Sequence, residues 1–237
     1  MQYDPYGDAL LAAYHHSSTD LPLYLHTSYG DKDEMPIDVF FRTEDDFSEL
    51  ESIALALCDG HVLDVGAGAG AHALYLQSRK FTVTGLEISP LAASVMQQRG
   101  VEDIVQSDFF AHRDARYDTL LFLMNGIGIA GTLTGCRTLL KHSRDLLTDR
   151  GQLLFDTSDI SYLYNDFDIE KPDHYFGEIT YQYEYDSRLG SEFPWLYLDQ
   201  QTLIEIANEE GWVVQILFED EQDQYLVRME PKSSDNQ

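Results

Sequence analysis

Residues 62–70, Val-Leu-Asp-Val-Gly-Ala-Gly-Ala-Gly, decide the fold of this 237-residue chain. An apolar run ends at an acidic residue and a glycine turn, and a helix-compatible segment follows over 71–78. Glycines permit positive φ and lack the Cβ that would hold a ligand away from the backbone. The stretch therefore predicts a strand, a ligand-binding loop and a helix. It also fits the dinucleotide fingerprint G-x-G-x-x-G/A if Ala71 takes the last position, so this stretch alone leaves the cofactor open.

Three further apolar runs follow at regular intervals, over residues 81–87, 104–109 and 117–126. Each indicates a strand that ends at an acidic or amide side chain. Open α/β sheets bind ligands at the carboxyl ends of their strands. A carboxylate at the end of the second strand can accept hydrogen bonds from both hydroxyls of a ribose. The polar residues at the four strand ends are Asp64, Glu87, Asp108 and Asn125.

In this order and spacing, the four motifs resemble those of class I S-adenosylmethionine-dependent methyltransferases. LDVGAGAG resembles the first motif of that family, GLEIS the second, SDFF the third and YDTLLFLMNGIG the fourth. The resemblance covers about 61–156, with a family-like end at 212–230. It implies S-adenosylmethionine as the cofactor and S-adenosylhomocysteine as the product. Asp108 favours this family over nicotinamide enzymes, because methyltransferases place an acidic side chain there on the adenine amino group.

The resemblance also implies a set of cofactor-binding residues. Glu87 would bind the ribose, and Ile88 and Phe109 would pack on the adenine. Asp108 would recognise the adenine, with a helix N-cap as the alternative. Asn125 would contact the methionine moiety or simply begin a turn. The implied residues are Asp64, Gly66, Ala67, Gly68, Gly70, Glu87, Ile88, Asp108, Phe109 and Asn125.

The alternation of strands and helices predicts an α/β fold with a seven-stranded, mostly parallel Rossmann-like sheet and a C-terminal antiparallel hairpin. We expect a single domain over 1–237. Its parts are an N-terminal helical cap (1–60), a cofactor-binding core (61–156), a β-rich substrate-side insertion after the fifth strand (157–198), and a final helix with the closing hairpin (199–230).

Within the cap, the sequence predicts a short helix over Asp8–His16, a loop over 21–36 and a longer helix over Glu44–Leu57. Within the insertion, aromatic and polar residues alternate over 179–185, which is typical of a strand with two unlike faces. We expect residues 193–198 to form its partner strand.

The composition is strongly acidic, with 15 Lys and Arg against 42 Asp and Glu and a formal net charge of −27. Proteins that bind duplex DNA neutralise its phosphates with lysine and arginine. The charge therefore disfavours nucleic acid as a partner. No apolar run approaches the roughly 20 residues of a membrane span, and residues 1–5 show no signal-peptide pattern. Two cysteines, Cys58 and Cys136, are too few for a disulfide framework, so we expect a cytoplasmic protein.

The acceptor side has few candidates. Methyl transfer from a sulfonium is an in-line displacement by an acceptor lone pair, so much of the catalysis can come from positioning. No catalytic residue is assigned for this reason. Asp156, Asp159 and His174 are candidates for acceptor contact, although a solvated loop is the preferred interpretation of each. After the fourth strand the chain lacks the N–P–P–Y run of methyltransferases that act on nucleic-acid amines.

Residues outside the motifs leave further alternatives open. Tyr14, His15 and His16 on the first helix would cover the pocket, but adjacent histidines face different ways, so no metal site is expected. Arg42 would hold the carboxylate of the cofactor or, as the preferred interpretation, form a surface salt bridge. The aromatic residues of the insertion suit a cationic acceptor, yet they suit an ordinary two-faced sheet better. They include Tyr162, Tyr164, Tyr181, Tyr183, Trp195 and Tyr197.

Together these features predict an enzyme that methylates a nitrogen or oxygen atom of a small molecule. One alternative is a protein that keeps the nucleoside pocket without transferring a methyl group, and acts as a sensor or partner subunit. Another is a nicotinamide oxidoreductase. Production of S-adenosylhomocysteine would separate the first two, and calorimetry with NADH and S-adenosylmethionine would test the third.

Overall fold

The computed structural model describes residues 3–15, 21–113, 115–166 and 169–232. The strands are β1 (Leu23–Thr27), β2 (Gly30–Met35), β3 (His61–Val65), β4 (Thr82–Glu87), β5 (Asp103–Gln106), β6 (Tyr117–Phe122), β7 (Leu147–Ser158), β8 (Glu178–Tyr185), β9 (Arg188–Leu196), β10 (Trp212–Glu219) and β11 (Gln224–Pro231). The α-helices are α1 (Pro5–His15), α2 (Glu49–Ala56), α3 (Ala71–Ser78), α4 (Pro90–Arg99), α5 (Leu133–Leu146), α6 (Tyr162–Asp166) and α7 (Gln200–Glu209). Short 3₁₀ helices cover Ile37–Phe40, Glu44–Asp46, Phe109–Ala111 and Gly126–Ala130.

Seven strands form the core sheet, in the order β10-β11-β7-β6-β3-β4-β5. Its five strands from β7 to β5 pair in parallel, whereas β11 pairs antiparallel with both β7 and β10. The predicted seven-stranded, mostly parallel sheet with a C-terminal hairpin is confirmed. The chain runs outward from β3 to β5 on one side and then returns to β6 on the other. This reversal opens a crevice at the carboxyl ends of β3 and β6, where open α/β sheets bind ligands.

The core sheet is buried on both faces, which explains the continuous apolar run of β3. Val62 packs in the apolar cluster that includes residues of α3 and α4. Its neighbour Leu63 packs on the opposite face, in the cluster that includes residues of α5 and α7. Side chains of a strand alternate between the two faces, so a strand covered by helices on both sides needs apolar residues at successive positions.

The predicted loop over 21–36 is wrong, because β1 and β2 form a hairpin there. This hairpin joins the two strands of the insertion, and together they form the accessory sheet, in the order β2-β1-β8-β9. The N-terminal part is therefore not purely helical. In β1, Leu23 and Leu25 are buried, while Tyr24, His26 and Thr27 are partly exposed. The β2 strand is almost entirely exposed and charged, so apolar periodicity cannot reveal it.

The predicted helix over Glu44–Leu57 is divided in two. Thr43 caps only a 3₁₀ turn, and α2 begins later, at its own N-cap residue Ser48. The amide of Glu51 donates to the Ser48 hydroxyl at 3.1 Å, and the Ser48 amide donates to the Glu51 carboxylate at 2.9 Å. This reciprocal capping box fixes a helix start at Ser48.

The remaining helices and strands lie close to their predicted positions. Helix α1 starts at Pro5, earlier than predicted, and its predicted last residue His16 lies outside the described residues. The two strands expected in the insertion are present as β8 and β9 and pair antiparallel, although β9 begins at Arg188, five residues before its predicted start, and ends at Leu196. None of the helices in the described part of the chain is long and apolar enough to cross a membrane.

Candidate cofactor and acceptor site

The glycine-rich loop after β3 forms the floor of a large cavity. Gly66 and Gly68 have φ of +71° and +57°, a conformation that L side chains rarely adopt. The amides of Gly66 and Ala67 both donate to the Leu86 carbonyl, at 2.9 and 3.1 Å, so the loop is tied to β4. A Cβ on Gly66 would meet nothing within 4 Å, which leaves the backbone open to a ligand.

Gly70 differs from the other predicted loop glycines. It is the N-cap of α3, with φ of +81°, and it does not line the cavity. A Cβ there would lie 2.8 Å from side-chain carbons of Met96 and Val101. The structure therefore explains this glycine by its backbone conformation and by the close packing of α3 against its neighbours. The other nine predicted cofactor residues all line the cavity.

Glu87 lies at the end of β4 with its carboxylate held by two backbone amides. Gly68 donates to Oε2 at 2.9 Å and Ser89 donates to Oε1 at 2.8 Å. Burial raises the pKa of this carboxyl, and the hydrogen bonds from the amides oppose that rise. The side chain is only 5% exposed, so its orientation toward the cavity is fixed before any ligand arrives.

Asp64 carries a buried oxygen that fits the amino end of the cofactor. Its Oδ2 has no hydrogen-bond partner among the described residues. Burial raises the pKa of Asp64, while the nearby His72 and the Ala73 amide lower it. A buried carboxylate oxygen without a partner costs about 1–3 kcal/mol or more, and an ammonium group of a ligand would remove that cost.

A buried ion-pair network stands behind this part of the cavity. Arg42 donates to both oxygens of Glu51, at 2.7 and 2.9 Å, and His72 Nε2 lies 2.8 Å from Glu51 Oε1. Burial acts to raise the pKa of Glu51, but His72, Ser48 and Arg42 together lower it to about 2. Arg42 thus forms the salt bridge that was the preferred interpretation, although its partner Glu51 is buried rather than on the surface.

The adenine end of the predicted site lies at the ends of β4 and β5, where a short 3₁₀ helix follows β5. Ile88 is 62% exposed and faces the cavity. Phe109 lines the cavity too, but its ring packs edge-on against Phe122 in the core. Asp108 Oδ1 accepts the Phe110 amide at 2.6 Å, so Asp108 does cap a short 3₁₀ helix. Its recognition of adenine stays a prediction.

The turn after β6 brings Asn125 into the cavity wall. Met124 and Asn125 both adopt positive φ, so Asn125 does take part in a turn. Its amide donates to Asp156 Oδ2 at 2.8 Å, and its side-chain oxygen is buried without a hydrogen-bond partner among the described residues. Gln224 also donates to Asp156, at 2.7 Å. Burial raises the pKa of Asp156 to about 6.

Four residues named for the acceptor side, Asp156, Asp159, His174 and Tyr14, lie outside the cavity wall, and Asp156 lies in the buried part of β7 rather than in the solvated loop that was preferred for it. Asp156 is fully buried and holds the Asn125 turn. Asp159 accepts the Ser161 amide, and His174 contacts the Glu178 carbonyl. Tyr14 donates to the Gln98 carbonyl, away from the cavity. The N-terminal part does line the cavity with other residues: Tyr3, Asp4, Pro5, Tyr6, Asp8, Leu25, Met35, Val39 and Phe40.

The far side of the cavity is closed by one face of the accessory sheet. We call this surface the aromatic wall; its residues are Tyr181, Tyr183, Phe193, Trp195 and Tyr197. The hydroxyls of Tyr181 and Tyr197 lie 2.8 Å apart. Burial raises the pKa of both phenols, to about 12 for Tyr197, so they are neutral near pH 7.

The charge of the cavity wall is strongly negative. Arg188 is the single guanidinium among the described lining residues, and it lies over the Tyr3 ring, 3.6 Å from its centroid. The carboxylates that line the cavity are those of Asp4, Asp8, Asp64, Glu87, Asp108 and Glu192. In the part of the chain that is described, no cluster of histidine, cysteine and acidic residues could hold a metal ion.

Comparisons with known proteins identify the family of the chain. A family model described as a methyltransferase domain matches residues 63–127. The crystal structure of an S-adenosylmethionine-dependent methyltransferase from Bacteroides fragilis, in complex with S-adenosylhomocysteine, is 39% identical, with a TM-score of 0.89 over 97% of this chain and 95% of that chain. The CcbJ methyltransferase from Streptomyces caelestis is 15% identical, with a TM-score of 0.67 over 98% of this chain and 100% of that one, and shows the fold alone. No curated protein matches the chain.

The fold, the glycine loop and the polar strand ends therefore define a class I methyltransferase. This chain belongs to the S-adenosylmethionine-dependent methyltransferases. It is an enzyme whose cofactor is S-adenosylmethionine and whose product from that cofactor is S-adenosylhomocysteine. The alternative of a nicotinamide oxidoreductase is therefore wrong. The glycine pattern after β3 could not exclude it by itself.

Proposed function

We propose that this enzyme methylates a nitrogen or oxygen atom of a small molecule held between the glycine loop and the aromatic wall. The observation that carries the proposal is a continuous cavity of about 1260 Å³ that reaches from Gly66 to Trp195. Pockets for single drug-sized ligands typically measure about 300–1,000 Å³. The cavity therefore has room for the cofactor and a compact acceptor side by side.

The cofactor would lie on the side formed by the ends of β3, β4 and β5. In this proposal Asp64 binds the amino end, Glu87 the ribose, and Ile88 and Asp108 the adenine. Bound S-adenosylmethionine supplies an electrophilic methyl group: the acceptor lone pair forms the bond to carbon, and the carbon–sulfur electron pair stays on sulfur. The acceptor would lie against the aromatic wall, which is the part of the cavity left beyond those residues.

The contribution of the chain to the reaction would be positioning and exclusion of water. The wall phenols keep their protons at neutral pH, and the carboxylates of Glu87 and Asp64 are committed to the glycine loop or its ligand. None of these groups is a strong base placed for the acceptor. An acceptor whose lone pair is available, such as an amine, suits such a site because the displacement then needs no prior proton removal.

The charge supports a small molecule rather than nucleic acid. Six carboxylates and one guanidinium line the cavity, and the whole chain has a net charge of −27. A protein that makes 6–10 phosphate contacts loses about 10³–10⁵ in affinity between 50 and 200 mM salt. We expect no such salt-sensitive binding of tRNA or DNA here.

The test is a methylation assay on fractionated cell extract with S-adenosylmethionine labelled in its methyl group. We expect label to appear in a low-molecular-weight compound, and to be lost with Asp64→Asn. The matched control is Asp159→Asn, which changes a carboxylate outside the cavity. Label confined to nucleic acid or protein would overturn the small-molecule proposal.

The location in the cell is proposed as cytoplasmic. Cys58 and Cys136 are both free and buried, and burial raises the pKa of each thiol to about 12. Such thiols are expected in a reducing compartment, where disulfides are rare. Fractionation with an antibody against the native protein would test this, and enrichment in an extracytoplasmic fraction would contradict it.

A further inference from the structure

Two tyrosines from distant parts of the chain stack at the border between the cofactor side and the aromatic wall. Tyr6, in the first turn of α1, lies face to face with Tyr183 of β8, with ring centroids 5.4 Å apart and an interplanar angle of 27°. Phe40 packs edge-on against Tyr6 at 5.2 Å. Both tyrosines line the cavity, so the pair forms a rigid part of its wall.

The Tyr6 hydroxyl lies beside the residues proposed to hold the ribose, and the Tyr183 ring is stacked on the same tyrosine. A Cβ placed on Gly68 would lie only 2.7 Å from the Tyr6 hydroxyl oxygen. Gly68 is also the residue whose amide donates to Glu87. The negative charge of Glu87 acts on both phenols, adding to the effect of burial, and raises the pKa of each.

Neither hydroxyl has a hydrogen-bond partner within the described parts of the chain. Tyr181 differs from this pair. It lies two residues before Tyr183 on the same strand, and its hydroxyl is hydrogen-bonded to that of Tyr197. A phenol in a largely buried cavity normally finds a partner. For Tyr6 and Tyr183 the partner is therefore expected to be a ligand that lies over Gly68 and beside Glu87.

We propose that Tyr6 and Tyr183 are positioning residues for the ribose of the cofactor, and that their hydroxyls complete the hydrogen bonds begun by Glu87. The inference rests on the proposed ribose role of Glu87. A ribose hydroxyl that donates to the carboxylate can accept from a neutral phenol, so the three side chains surround the sugar without competing. Helix α1 and the accessory sheet then belong to the cofactor site as well as to the acceptor site.

The test removes each hydroxyl and keeps the stacked ring, with Tyr6→Phe and Tyr183→Phe. Calorimetry with S-adenosylhomocysteine should show each variant binding roughly 3- to 10-fold more weakly than the wild type, the size expected for one neutral hydrogen bond. Matched controls lie on the same two elements but outside the cavity: Tyr14→Phe on α1 and Tyr185→Phe on β8. Both controls should bind as the wild type does.

A second ligand separates contact with the ribose from a general structural effect. The 2′,3′-dideoxy analogue of S-adenosylhomocysteine lacks the sugar hydroxyls, so it should bind the wild type, Tyr6→Phe and Tyr183→Phe with equal affinity. Equal losses for both ligands would overturn the inference, as would unchanged binding of S-adenosylhomocysteine by either variant. In those cases the wild type still binds the cofactor and the proposed function stands. A wild type that binds neither S-adenosylmethionine nor S-adenosylhomocysteine would instead remove the proposed function itself.

Discussion

The core sheet and the accessory sheet are built by different rules. Strand β3 of the core sheet is buried on both faces and reads as a continuous apolar run. Strand β9 of the accessory sheet is exposed or half-buried from Arg188 to Trp195, and its aromatic residues line the cavity. The core sheet carries the glycine loop and the polar strand ends, while the accessory sheet carries the aromatic wall. In the proposed function, cofactor binding and acceptor choice therefore lie largely in separate sheets, which meet around Tyr6, Tyr183 and Asn125.

If the core sheet provides most of the stability, shortening a side chain at its centre should lower the free energy of unfolding more than shortening one in the accessory sheet. Leu63 of β3 is fully buried between helices. We expect Leu63→Ala to lower the free energy of unfolding by about 2–5 kcal/mol, through lost burial and the cavity left behind. Urea denaturation measures this, with Leu189→Ala in the exposed part of β9 as the control. A loss below about 1 kcal/mol at Leu63 would contradict the assignment of stability to this sheet.

Asp156, at the junction of the two regions, predicts a pH dependence. Burial raises its pKa in the folded protein to about 6, above the value in the unfolded chain. The folded state then holds a proton that the unfolded state loses, so this contribution to stability is complete below about pH 4 and is lost as pH rises through about 6. The shift corresponds to roughly 2–3 kcal/mol.

Asp156→Asn cannot titrate, so it isolates this contribution. We compare the free energy of unfolding of the wild type with that of this variant at pH 4 and at pH 7. Relative to the variant, the wild type should be less stable at pH 7 than at pH 4 by about that amount. Glu51, whose pKa in the folded protein is about 2, is present in both proteins, so its own contribution cancels in this difference. A difference that is flat with pH would show that Asp156 titrates normally.

Glu87 tests the cofactor side alone. Glu87→Ala removes a charged hydrogen-bond acceptor, so we expect S-adenosylmethionine to bind about 10- to 100-fold more weakly. Glu184→Ala is the matched control, since Glu184 pairs with His26 and Lys32 and does not line the cavity. Calorimetry on folded variants gives the result, and equal affinity for Glu87→Ala and wild type would end the ribose assignment.

Trp195 tests the acceptor side, where the smallest effect is expected. Its indole packs against Gly128, and its ring lies edge-on to Phe193. Trp195→Phe should raise the KM for the acceptor by about 2- to 10-fold, the range of one aromatic contact, and leave the Kd for S-adenosylhomocysteine unchanged. A loss of cofactor affinity of similar size would show that the two sheets do not act separately.

The core sheet could be predicted from the sequence, whereas part of the accessory sheet could not. In the core sheet, the motif strands can be predicted from their local apolar runs. The polar residues at their ends can be predicted because they directly follow those runs. The hairpin of β1 and β2 cannot be predicted from apolar periodicity. Most residues of β2 are exposed and charged, and the strand is formed by pairing with β1. Tyr6 is hidden too, since its importance arises only where it meets Tyr183 and Gly68 in space.

Gly70 and Asp156 show the opposite error, in which position along the chain suggests a contact that packing does not provide. Gly70 belongs to the glycine motif, yet it serves the packing of α3 against Met96 and Val101. Asp156 follows a strand as the cofactor residues do, but β7 extends beyond it to Ser158 and its carboxylate turns inward to the Asn125 amide. Strand ends can be located from sequence only to within a few residues, and that margin decides which side chain faces the cavity.

The pairing of β1 with β8 sets the order in which the enzyme can assemble. His26 and Glu184, which meet across these strands, are 158 positions apart. Closing so long a loop costs entropy that only the finished core can offset, and such non-local pairings slow folding. On the ribosome, β1 can pair with β2 at once, but its pairing with β8 must wait until most of the chain has been made. Strands β10 and β11, which complete the core sheet, are made later still, so both sheets are finished only near the end of synthesis.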